Sequence, residues 1–418
     1  MSITRRSLLS CGALLVASGL VAPSFIARTA LALSQSSANP RRILVVVQFS
    51  GGNDGLNTLV PFGDPLYYEL RSSLAVPATS VIPLAAGVGL SPELPALKPL
   101  WDQGNLAIVQ GVGYPNPNRS HLRSMDIWHS ARPDSFDRSG WLGRYLDACQ
   151  CRQDQALPAI GVGDQLNTMF WTDATLVPAV ANIGAFTFRT ETNYRNDRHV
   201  QLQTLQNIYS QAGNWPAYVG LIRKATLKAL AGSDQLQAAA ASYRSPVEYP
   251  SGNPLANQLQ MVAQVIAGDV GARLFSVQMG GFDTHANQSG QHESLLNQTA
   301  AAIAAFQQDM AAQNRQDEVV LLTFSEFGRR PLQNGSGGTD HGTAEPMFIV
   351  GNRVRGGLYS TYPNLADLDD NGDLKFSTDF RSVYAGVLQD HLGIDPTPVL
   401  TARFDPLSVL ATPVAAAA

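Results

Sequence analysis

The feature that most constrains the fold is an uninterrupted apolar run near the start of the chain, RRILVVVQF at residues 41–49. A β-branched run without polar alternation is typical of a strand buried on both faces, as in a parallel sheet covered by helices. Similar runs recur at residues 106–114, 273–281, 318–328 and 346–351. Segments with helical spacing lie between them, at residues 91–104, 120–131, 253–272 and 292–314. We therefore expect an α/β fold, with a doubly wound, mainly parallel sheet and helices on both faces.

The alternation of strands and helices breaks between about residues 132 and 249. This region contains short strand-like pieces, LPAIGVG and GAFTFR, followed by a long helical pattern that begins at YVGLIRKATLKAL. Because strands and helices alternate again afterwards, we interpret the region as an insertion or cap over the sheet. Residues 41–418 are accordingly predicted to form a single α/β domain with an inserted cap region.

Residues 1–32 have the pattern of an export signal. Paired arginines, Arg5 and Arg6, precede a moderately apolar stretch, and Ala30-Leu31-Ala32 is a small-x-small cleavage site. Paired arginines indicate the twin-arginine pathway. The alternative is a short membrane anchor, but the apolar stretch is interrupted before it reaches spanning length. We predict a periplasmic or secreted protein with a linker at residues 33–40 and no stable membrane span after signal cleavage.

Charge excludes some classes of partner. The formal net charge is −4 at pH 7 and becomes more negative once the arginines of the signal are removed. Nucleic acid and anionic membrane surfaces both require a basic face, so neither is an expected partner. Cys149 and Cys151 are too close in sequence for an unstrained ring and too few for a thiolate metal site, and we assign them no chemistry.

Polar side chains cluster at one end of four of the apolar runs. They are Asn53, Asp54 and Asn57; Asp283 and His285; Ser325, Glu326 and Arg329; and, before the run at 346–351, Asp340 and His341. Ligands of open α/β sheets bind beyond the carboxyl ends of the strands, and carboxylates with imidazoles are ligands of divalent metals. We predict a site for a divalent metal ion, Zn, Mn, Mg or Ca, with the candidate ligands Asp54, Asp283, His285, Glu326 and His341.

Each of these residues also has a structural interpretation. Asp54 could cap a helix, His285 could be a solvated loop histidine, and Glu326 with Arg329 could form a surface pair. Their shared position beside glycines, at the ends of separately predicted strands, favours a functional crevice.

A further segment, PNPNRSHLRSMDIWHSA, follows the run at 106–114. Ser120 stands where a helix would begin, a position that favours an anion. The commoner interpretation is a plain N-cap. The alternative is a nucleophile activated by a metal, with Arg119 and His121 supplying an anion-binding fork and a proton.

Five motifs carry a resemblance to a known family: FSGGNDGLNTLVP, NRSHLRSMDIW, GGFDTHANQ, TFSEFGRR and GTDHGTAEPMFIVG. Together they resemble the exported bacterial family named domain of unknown function 1501 (DUF1501), which is similar in layout to the alkaline phosphatase and sulfatase superfamily. The resemblance implies that Asp54 lies among the first metal-binding acids and Ser120 in the nucleophile region. It also implies that Asp283 and His285 stand for a metal motif and that His341 matches a late histidine.

Two departures from the superfamily pattern bear on activity. Phe327 occupies the place of a metal-binding histidine, and Asp283 and His285 are closer in sequence than the pattern has them. A single metal site remains open, as does an inert relative that keeps only the fold.

The principal hypothesis is an exported metal-dependent hydrolase of phosphate or sulfate esters, on a small molecule or a polysaccharide. In it the Ser120 hydroxyl or a bound water attacks, Arg329 or Arg119 holds the ester oxygens, and His341 or His121 protonates the leaving group. The alternative is a non-catalytic periplasmic binding or assembly protein with a degenerate alkaline phosphatase-like fold. A lectin-like binder draws only on scattered tryptophans, Trp128, Trp171 and Trp215.

The segment DLDDNGDLKFSTD, residues 367–379, fits the first half of a calcium loop but has Thr378 where the loop needs glutamate. An Asn-Gly hairpin turn explains the same letters and is the favoured interpretation.

Overall fold

The computed structural model describes residues 42–411 except 137, 150–154, 173, 189, 191–196 and 212. The described chain is a mixed α/β fold with a mainly parallel central sheet, which confirms the predicted fold class. The predicted signal at residues 1–32 and linker at 33–40 lie outside the described residues. Across the described part of the chain, no helix combines the length and apolar character needed to cross a membrane.

The strands form along the predicted apolar runs and a few shorter segments. In chain order they are β1 (Ile43–Ser50), β2 (Leu59–Val60), β3 (Ile82–Ala85), β4 (Val88–Leu90), β5 (Leu106–Gly113), β6 (Ala159–Val162), β7 (Ala179–Val180), β8 (Leu274–Gly280), β9 (Val319–Ser325), β10 (Arg329–Gln333), β11 (Thr339–His341), β12 (Glu345–Val350), β13 (Gly357–Tyr359) and β14 (Thr378–Asp379). The central sheet has the order β13-β5-β12-β9-β1-β8-β6-β7, and β14 pairs with β5.

The α-helices are α1 (Gly55–Thr58), α2 (Pro65–Leu70), α3 (Lys98–Asp102), α4 (His121–Ser130), α5 (Trp141–Cys149), α6 (Asp197–Ser210), α7 (Ala217–Ser242), α8 (Pro254–Ala267), α9 (Gln288–Ala312), α10 (Phe380–Gly386) and α11 (Thr397–Leu400). Short 3-10 turns lie at Pro95–Leu97 and Thr168–Phe170, and a π-helical turn at Val387–His391.

Helices cover both faces of the sheet, which explains the apolar character of β1. Its side chains alternate between two cores, with Val45 and Val47 in one and Leu44 and Val46 in the other. The first core contains residues of α8 and α9, and the second contains residues of α4, α5 and α10. A strand buried on both sides has no position that favours a polar residue, so the run is continuous.

One strand runs against the others, and this decides where the site is built. β1 pairs in parallel with β8 and β9, whereas β12 is antiparallel to both β9 and β5. The segment that precedes β12 therefore lies at the same edge of the sheet as the segments that follow β1, β8 and β9. Loops from four strands meet there.

The region at about 132–249 differs from the expected cap in its first part. β6, which lies in the predicted strand-like piece LPAIGVG, pairs in parallel with β8, and β7 pairs with β6, so this part extends the sheet. The second predicted piece, GAFTFR, forms no strand in its described residues, 184–188. The long helical pattern is confirmed as α7, and α6 packs beside it.

Two small sheets flank the carboxyl edge of the central sheet. β2, β3 and β4 form one, and the β10–β11 hairpin forms the other. The segment at 367–379 makes the favoured turn: Gly372 has φ 78°, and Leu368 and Leu374 pair across it as an antiparallel bridge. Cys149, at the end of α5, is disulfide-bonded.

Candidate metal centre

The two glycines after β1 let three loops pack closely. Gly51 has φ 122° and Gly52 has φ 78°, a region that favours glycine. A Cβ on Gly51 would overlap the backbone of Asp283, and one on Gly52 would overlap the ring of Phe327. The apolar strand therefore ends on glycines because the next residues must pass directly beneath the loops that follow β8 and β9.

The carboxylate of Asp54 is held by a buried guanidinium. Arg71 donates from Nη1 to Oδ2 at 2.5 Å and from Nη2 to Oδ1 at 3.0 Å, and Gln288 Nε2 also donates to Oδ2. Both charged side chains are fully buried. Burial alone would raise the pKa of the Asp54 carboxyl, but the charge and hydrogen bonds of Arg71 hold it below the ordinary value. Asp54 thus forms a buried ion pair and lies outside the cluster described next.

Four ionisable side chains from three loops converge at the mouth of the crevice. Asp283 Oδ1 lies 3.0 Å from His341 Nε2 and 3.1 Å from His285 Nε2, and Asp283 Oδ2 lies 3.5 Å from His121 Nε2. The Nε2 atoms of His285 and His341 are 2.9 Å apart. His121, Asp283 and His341 each present a ligand atom within 4.8 Å of the other two. We call these four residues the histidine cluster.

The other ring nitrogen of each histidine faces a hydrogen-bond acceptor. His121 Nδ1 lies 2.7 Å from Glu326 Oε1, His285 Nδ1 lies 3.1 Å from Asp340 Oδ1, and His341 Nδ1 lies 2.9 Å from the carbonyl of Arg119. The three Nδ1 atoms are thus engaged outside the cluster. The three Nε2 atoms face the carboxylate of Asp283.

Charge keeps Asp283 ionised. Burial by itself would raise its pKa, but hydrogen bonds from Arg329 and His341 lower the pKa of the carboxyl to about 2. Burial also lowers the pKa of His341 below its ordinary value, which favours the neutral imidazole. A carboxylate beside imidazoles is a common ligand set for zinc and related metals. The arrangement fits a divalent cation.

Two predicted site residues support the cluster from beneath. Glu326 is 1% exposed; its Oε1 accepts from Gly51 N at 2.9 Å as well as from His121, and its Oε2 accepts from Ser325 Oγ. Arg329 is 1% exposed and donates to the carbonyls of Gly51, Gly52, Phe282 and Thr339 and to Asp283 Oδ1. Its donors are engaged within the protein. Arg329 therefore holds the loops and Asp283 in position and has no donor left for the expected contact with ester oxygens.

Phe327 packs against the cluster in the place where the superfamily pattern has a histidine. Its ring is buried and lies 4.9 Å from the ring of His121 and 4.6 Å from that of His341, centroid to centroid. The apolar face limits water on one side of the two imidazoles. A second metal has no ligand at this position.

Ser120 occupies the N-cap position of α4, but its hydroxyl makes no capping hydrogen bond. The residue is exposed and directly precedes His121 in the chain. Nearby, Arg119 donates to Asp373 Oδ2 at 3.1 Å, and Arg330 approaches Asp373 Oδ1 from the other side at 3.2 Å. Each arginine side chain is about one-third exposed. These are the basic groups beside the cluster that face solvent.

Sequence reasoning missed several residues that build the site. Arg71 and Gln288 hold Asp54, and His292 donates from Nε2 to Asn53 Oδ1 at 3.0 Å. Glu345 accepts from Ser325 N, and burial raises the pKa of its carboxyl well above the ordinary value. The acidic residue at the start of an apolar strand was a visible signal for Glu345. Arg71 carries no such signal, because nothing in its surroundings distinguishes it from a surface arginine.

The fold and the site together define a mixed α/β protein with a candidate metal centre at the carboxyl edge of its sheet. Residues 107–402 match the family described as "Protein of unknown function (DUF1501)", and the chain belongs to that family. This confirms the resemblance found in the sequence. No curated protein matches the chain.

Among solved structures, the chain is similar to members of the alkaline phosphatase superfamily. One is a protein of that superfamily from Vibrio parahaemolyticus, with 10% identity over 90% of this chain and 78% of the other, at a TM-score of 0.39. Others are the periplasmic domain of EcEptC from Escherichia coli in complex with Zn (10% identity, 86% of both chains, TM-score 0.37) and a TAB5 alkaline phosphatase mutant with Mg bound, the enzyme of an Antarctic bacterium (12% identity, 75% of this chain and 92% of the other, TM-score 0.34). Likenesses this distant say nothing about the activity of this chain.

Proposed function

We propose that the protein is an exported hydrolase that uses one divalent metal ion to cleave a phosphate or sulfate ester. The observation that carries this proposal is the convergence of ligand atoms from His121, Asp283 and His341, all within 4.8 Å of one another, with His285 Nε2 3.1 Å from Asp283 Oδ1. A cation here would be shared by the carboxylate and the imidazoles. Metal-binding histidines characteristically turn their other ring nitrogen to a carboxylate or a carbonyl, and the Nδ1 atoms of these histidines lie beside such groups.

The ligand set favours some metals over others. His121, His285 and His341 offer nitrogen, and Asp283 offers the oxygen. Mg²⁺ and Ca²⁺ prefer oxygen ligands, whereas Zn²⁺ and other transition metals accept imidazole readily. Zinc is therefore favoured over manganese, magnesium and calcium. We leave Asp54 and Glu326 out of the ligand set, because both carboxylates are buried and engaged elsewhere.

A bound divalent ion would act as a Lewis acid toward the ester and lower the pKa of an attacking hydroxyl or water. Ser120, whose hydroxyl is exposed and caps nothing, is the proposed nucleophile. Arg119 is the proposed anion contact, since its guanidinium remains partly open to solvent. As Ser120 Oγ bonds to phosphorus or sulfur it gives its proton to water, the bond to the ester oxygen breaks, and the leaving oxygen takes a proton from water. A second water then attacks the same phosphorus or sulfur, the bond to Ser120 Oγ breaks, and the serine regains its proton as phosphate or sulfate leaves. His121 and His341 then serve as ligands and not as the acids expected from the sequence.

A second hypothesis is a non-catalytic periplasmic binding or assembly protein. Phe327 fills the position of a missing ligand, and the donors of Arg329 are engaged within the protein. A centre reduced in this way could bind a metal for structural reasons and turn over no ester.

Metal content separates these hypotheses. Mature protein and an Asp283→Asn, His341→Ala variant would be assayed by inductively coupled plasma mass spectrometry, with His199→Ala as a control at an exposed histidine on α6. We expect near-stoichiometric metal in the mature protein and the control and none in the double variant. Hydrolysis of p-nitrophenyl phosphate or 4-methylumbelliferyl sulfate should follow the metal and be abolished by chelation. Absence of metal from all three proteins would refute the proposal, and metal without turnover of either ester would favour the binding protein.

Export is proposed from the twin-arginine pattern of the sequence. It is tested by N-terminal sequencing of protein recovered from a periplasmic extract, where cleavage after Ala32 is expected. An Arg5→Lys, Arg6→Lys variant should keep the full-length protein in the cytoplasm.

A further inference from the structure

A cleft of about 590 Å³ opens beside the histidine cluster. Its lining includes His121 and Glu326 at one end and extends along the carboxyl ends of β1 and β8 toward the segment after β6. The volume lies within the usual range of small-molecule sites. A ligand that reacts at the cluster would place its remaining portion here.

The polar lining of this cleft is almost entirely neutral. It includes the amides and hydroxyls of Gln48, Ser50, Gln165, Asn167, Thr168 and Gln278, and no Lys or Arg stands among the described residues that line it. The carboxylate of Asp126 is paired with Arg123, and that of Glu326 with His121. A nucleotide or other polyanion would require basic groups along its length. The cleft instead suits an uncharged ligand with many hydrogen-bonding groups.

Gln48 is held in one orientation by its neighbours. Its Oε1 accepts from His129 Nε2 at 2.9 Å and from Asn167 Nδ2 at 2.9 Å. Burial lowers the pKa of His129 to about 3, and Thr168 Oγ1 lies 2.6 Å from its Nδ1, so the ring is neutral with its proton on Nε2. Because the oxygen takes both bonds, the two N–H donors of the Gln48 amide are left for a ligand. Among the described residues they have no protein partner.

Aromatic side chains line a second cleft that shares three residues with the first. A smaller cleft of about 240 Å³ shares Asp126, His129 and Thr168 with the first and is also lined by Phe136, Trp171 and Arg138, the one Lys or Arg among the described residues that line the two clefts. Trp171 is 45% exposed and Phe136 is 86% exposed. The Arg123 guanidinium lies over the Phe136 ring, 4.0 Å from its centroid. The exposed indole of Trp171 offers a flat apolar surface beside directional donors, the two kinds of contact that sugar rings make. Trp128 and Trp215, the other tryptophans singled out in the sequence, do not line either cleft.

We propose that the two clefts together bind a neutral carbohydrate chain, with Gln48, Gln165 and Gln278 reading its hydroxyl groups and Trp171 stacking on a ring. The reacting ester would be carried by the sugar nearest to His121. Only this position of the ester rests on the proposed hydrolase function. Binding of the chain itself requires neither metal nor turnover. The inference therefore can be tested separately.

Binding would be measured by isothermal titration calorimetry with a panel of neutral hexasaccharides: cellohexaose, laminarihexaose, xylohexaose, mannohexaose and neoagarohexaose. ATP serves as the polyanion. The variants are Gln165→Ala with Gln278→Ala, at two exposed amides of the cleft, and Trp171→Ala; Gln308→Ala, on the exposed face of α9, is the matched control. Each neutral hydrogen bond or ring contact contributes modestly, so we expect roughly 10-fold weaker binding in the double variant and in Trp171→Ala. The control should bind as the unmodified protein does.

Each outcome has a defined meaning. Binding of a neutral hexasaccharide that weakens in both cleft variants, persists in Asp283→Asn with His341→Ala, and exceeds that of ATP supports the inference. Binding of none of the panel, equal loss in the Gln308→Ala control, or preference for ATP overturns it. Sugar binding without metal or turnover would refute only the hydrolase, and ester turnover without sugar binding would refute only this inference.

Discussion

Two regions of the carboxyl edge carry the same residue types and differ in what those residues do. The first surrounds Asp54, where Arg71 and Gln288 satisfy the carboxylate in full burial. The second is the histidine cluster, where Asp283 is about half exposed and faces the Nε2 atoms of three histidines. Both aspartates contact a buried arginine, but Asp283 pairs with Arg329 through Oδ1 and stays about half exposed, whereas Asp54 is fully buried with both oxygens engaged. An aspartate at a strand end is therefore a ligand candidate only when its carboxylate stays accessible. The comparison yields four predictions.

The largest effect is expected on the free energy of unfolding when low pH protonates the buried histidines. Burial lowers the pKa of His129 and His391 to about 3 and that of His292, beside Asn53, to about 4, from an ordinary value of 6.5. The unfolded chain therefore binds more protons than the folded chain below pH 6.5. Stability is fully present above that pH and falls by about 1.4 kcal/mol per pH unit for each histidine as the pH drops toward 4. Chemical denaturation of metal-free protein measures this, and a flat profile from pH 7 to 4 would contradict the burial assigned to these rings.

The next largest effect on the free energy of unfolding is expected when the guanidinium that pairs with Asp54 is removed. Arg71→Met leaves a buried carboxylate without its cation, which costs about 3–5 kcal/mol in the free energy of unfolding. Asp54→Asn in the same chain should recover part of that loss, because no charge is then left unpaired. Lys98→Met, in the exposed pair Lys98–Asp102, is the matched control and should cost about 0.5 kcal/mol or less. Equal effects of Arg71→Met and Lys98→Met would remove the distinction between the two regions.

Substitutions in the histidine cluster should show the reverse pattern. His285→Ala should leave the stability of metal-free protein within about 1 kcal/mol, because the ring is exposed, yet weaken metal binding by roughly 100-fold. Competition with a fluorescent chelator measures the affinity. If Asp54→Asn weakened metal binding as much as His285→Ala does, the buried carboxylate would belong to the centre after all.

The smallest effect is expected on metal affinity, from substitution of Glu326, which contacts His121 from beneath the cluster. Glu326→Gln keeps the shape of the side chain but weakens the acceptor that fixes the proton of His121 on Nδ1. Outer contacts of this kind are worth about 10- to 100-fold in metal affinity. Glu318→Gln, in a pair with Arg315 on the protein surface, serves as the control. An unchanged affinity in Glu326→Gln would mean that His121 is oriented by Phe327 packing alone.

Much of the fold followed from the sequence because burial on both faces leaves a simple signature. The five apolar runs became β1, β5, β8, β9 and β12, and the long helical patterns became α4, α7, α8 and α9. The last two strands at one end of the sheet were harder, since β6 and β7 are short and β7 lies upstream of the piece expected to form it. The direction of β12 could not be inferred at all, because an apolar run has the same composition whichever way it points.

The site was harder to predict than the fold. Sequence reasoning selected His121, Asp283, His285 and His341, which the fold brings together, and equally Asp54, Glu326 and Arg329, which it buries with other partners. The two groups differ only in tertiary partners such as Arg71, whose contribution depends on packing over long sequence separations. Spacing along the chain carries no record of such partners.

The place of β1 in the middle of the sheet has a consequence for synthesis of the chain. Its two neighbours, β8 and β9, end at residues 280 and 325, so the ribosome must add more than two hundred residues before either edge of β1 can be paired. At about 5–20 residues per second, roughly 12 to 46 seconds separate the emergence of β1 from that of β8, the first of its partners. During that time an apolar strand has no native partner on either edge, which exposes the nascent chain to aggregation. Truncation before Leu274 makes that exposure permanent.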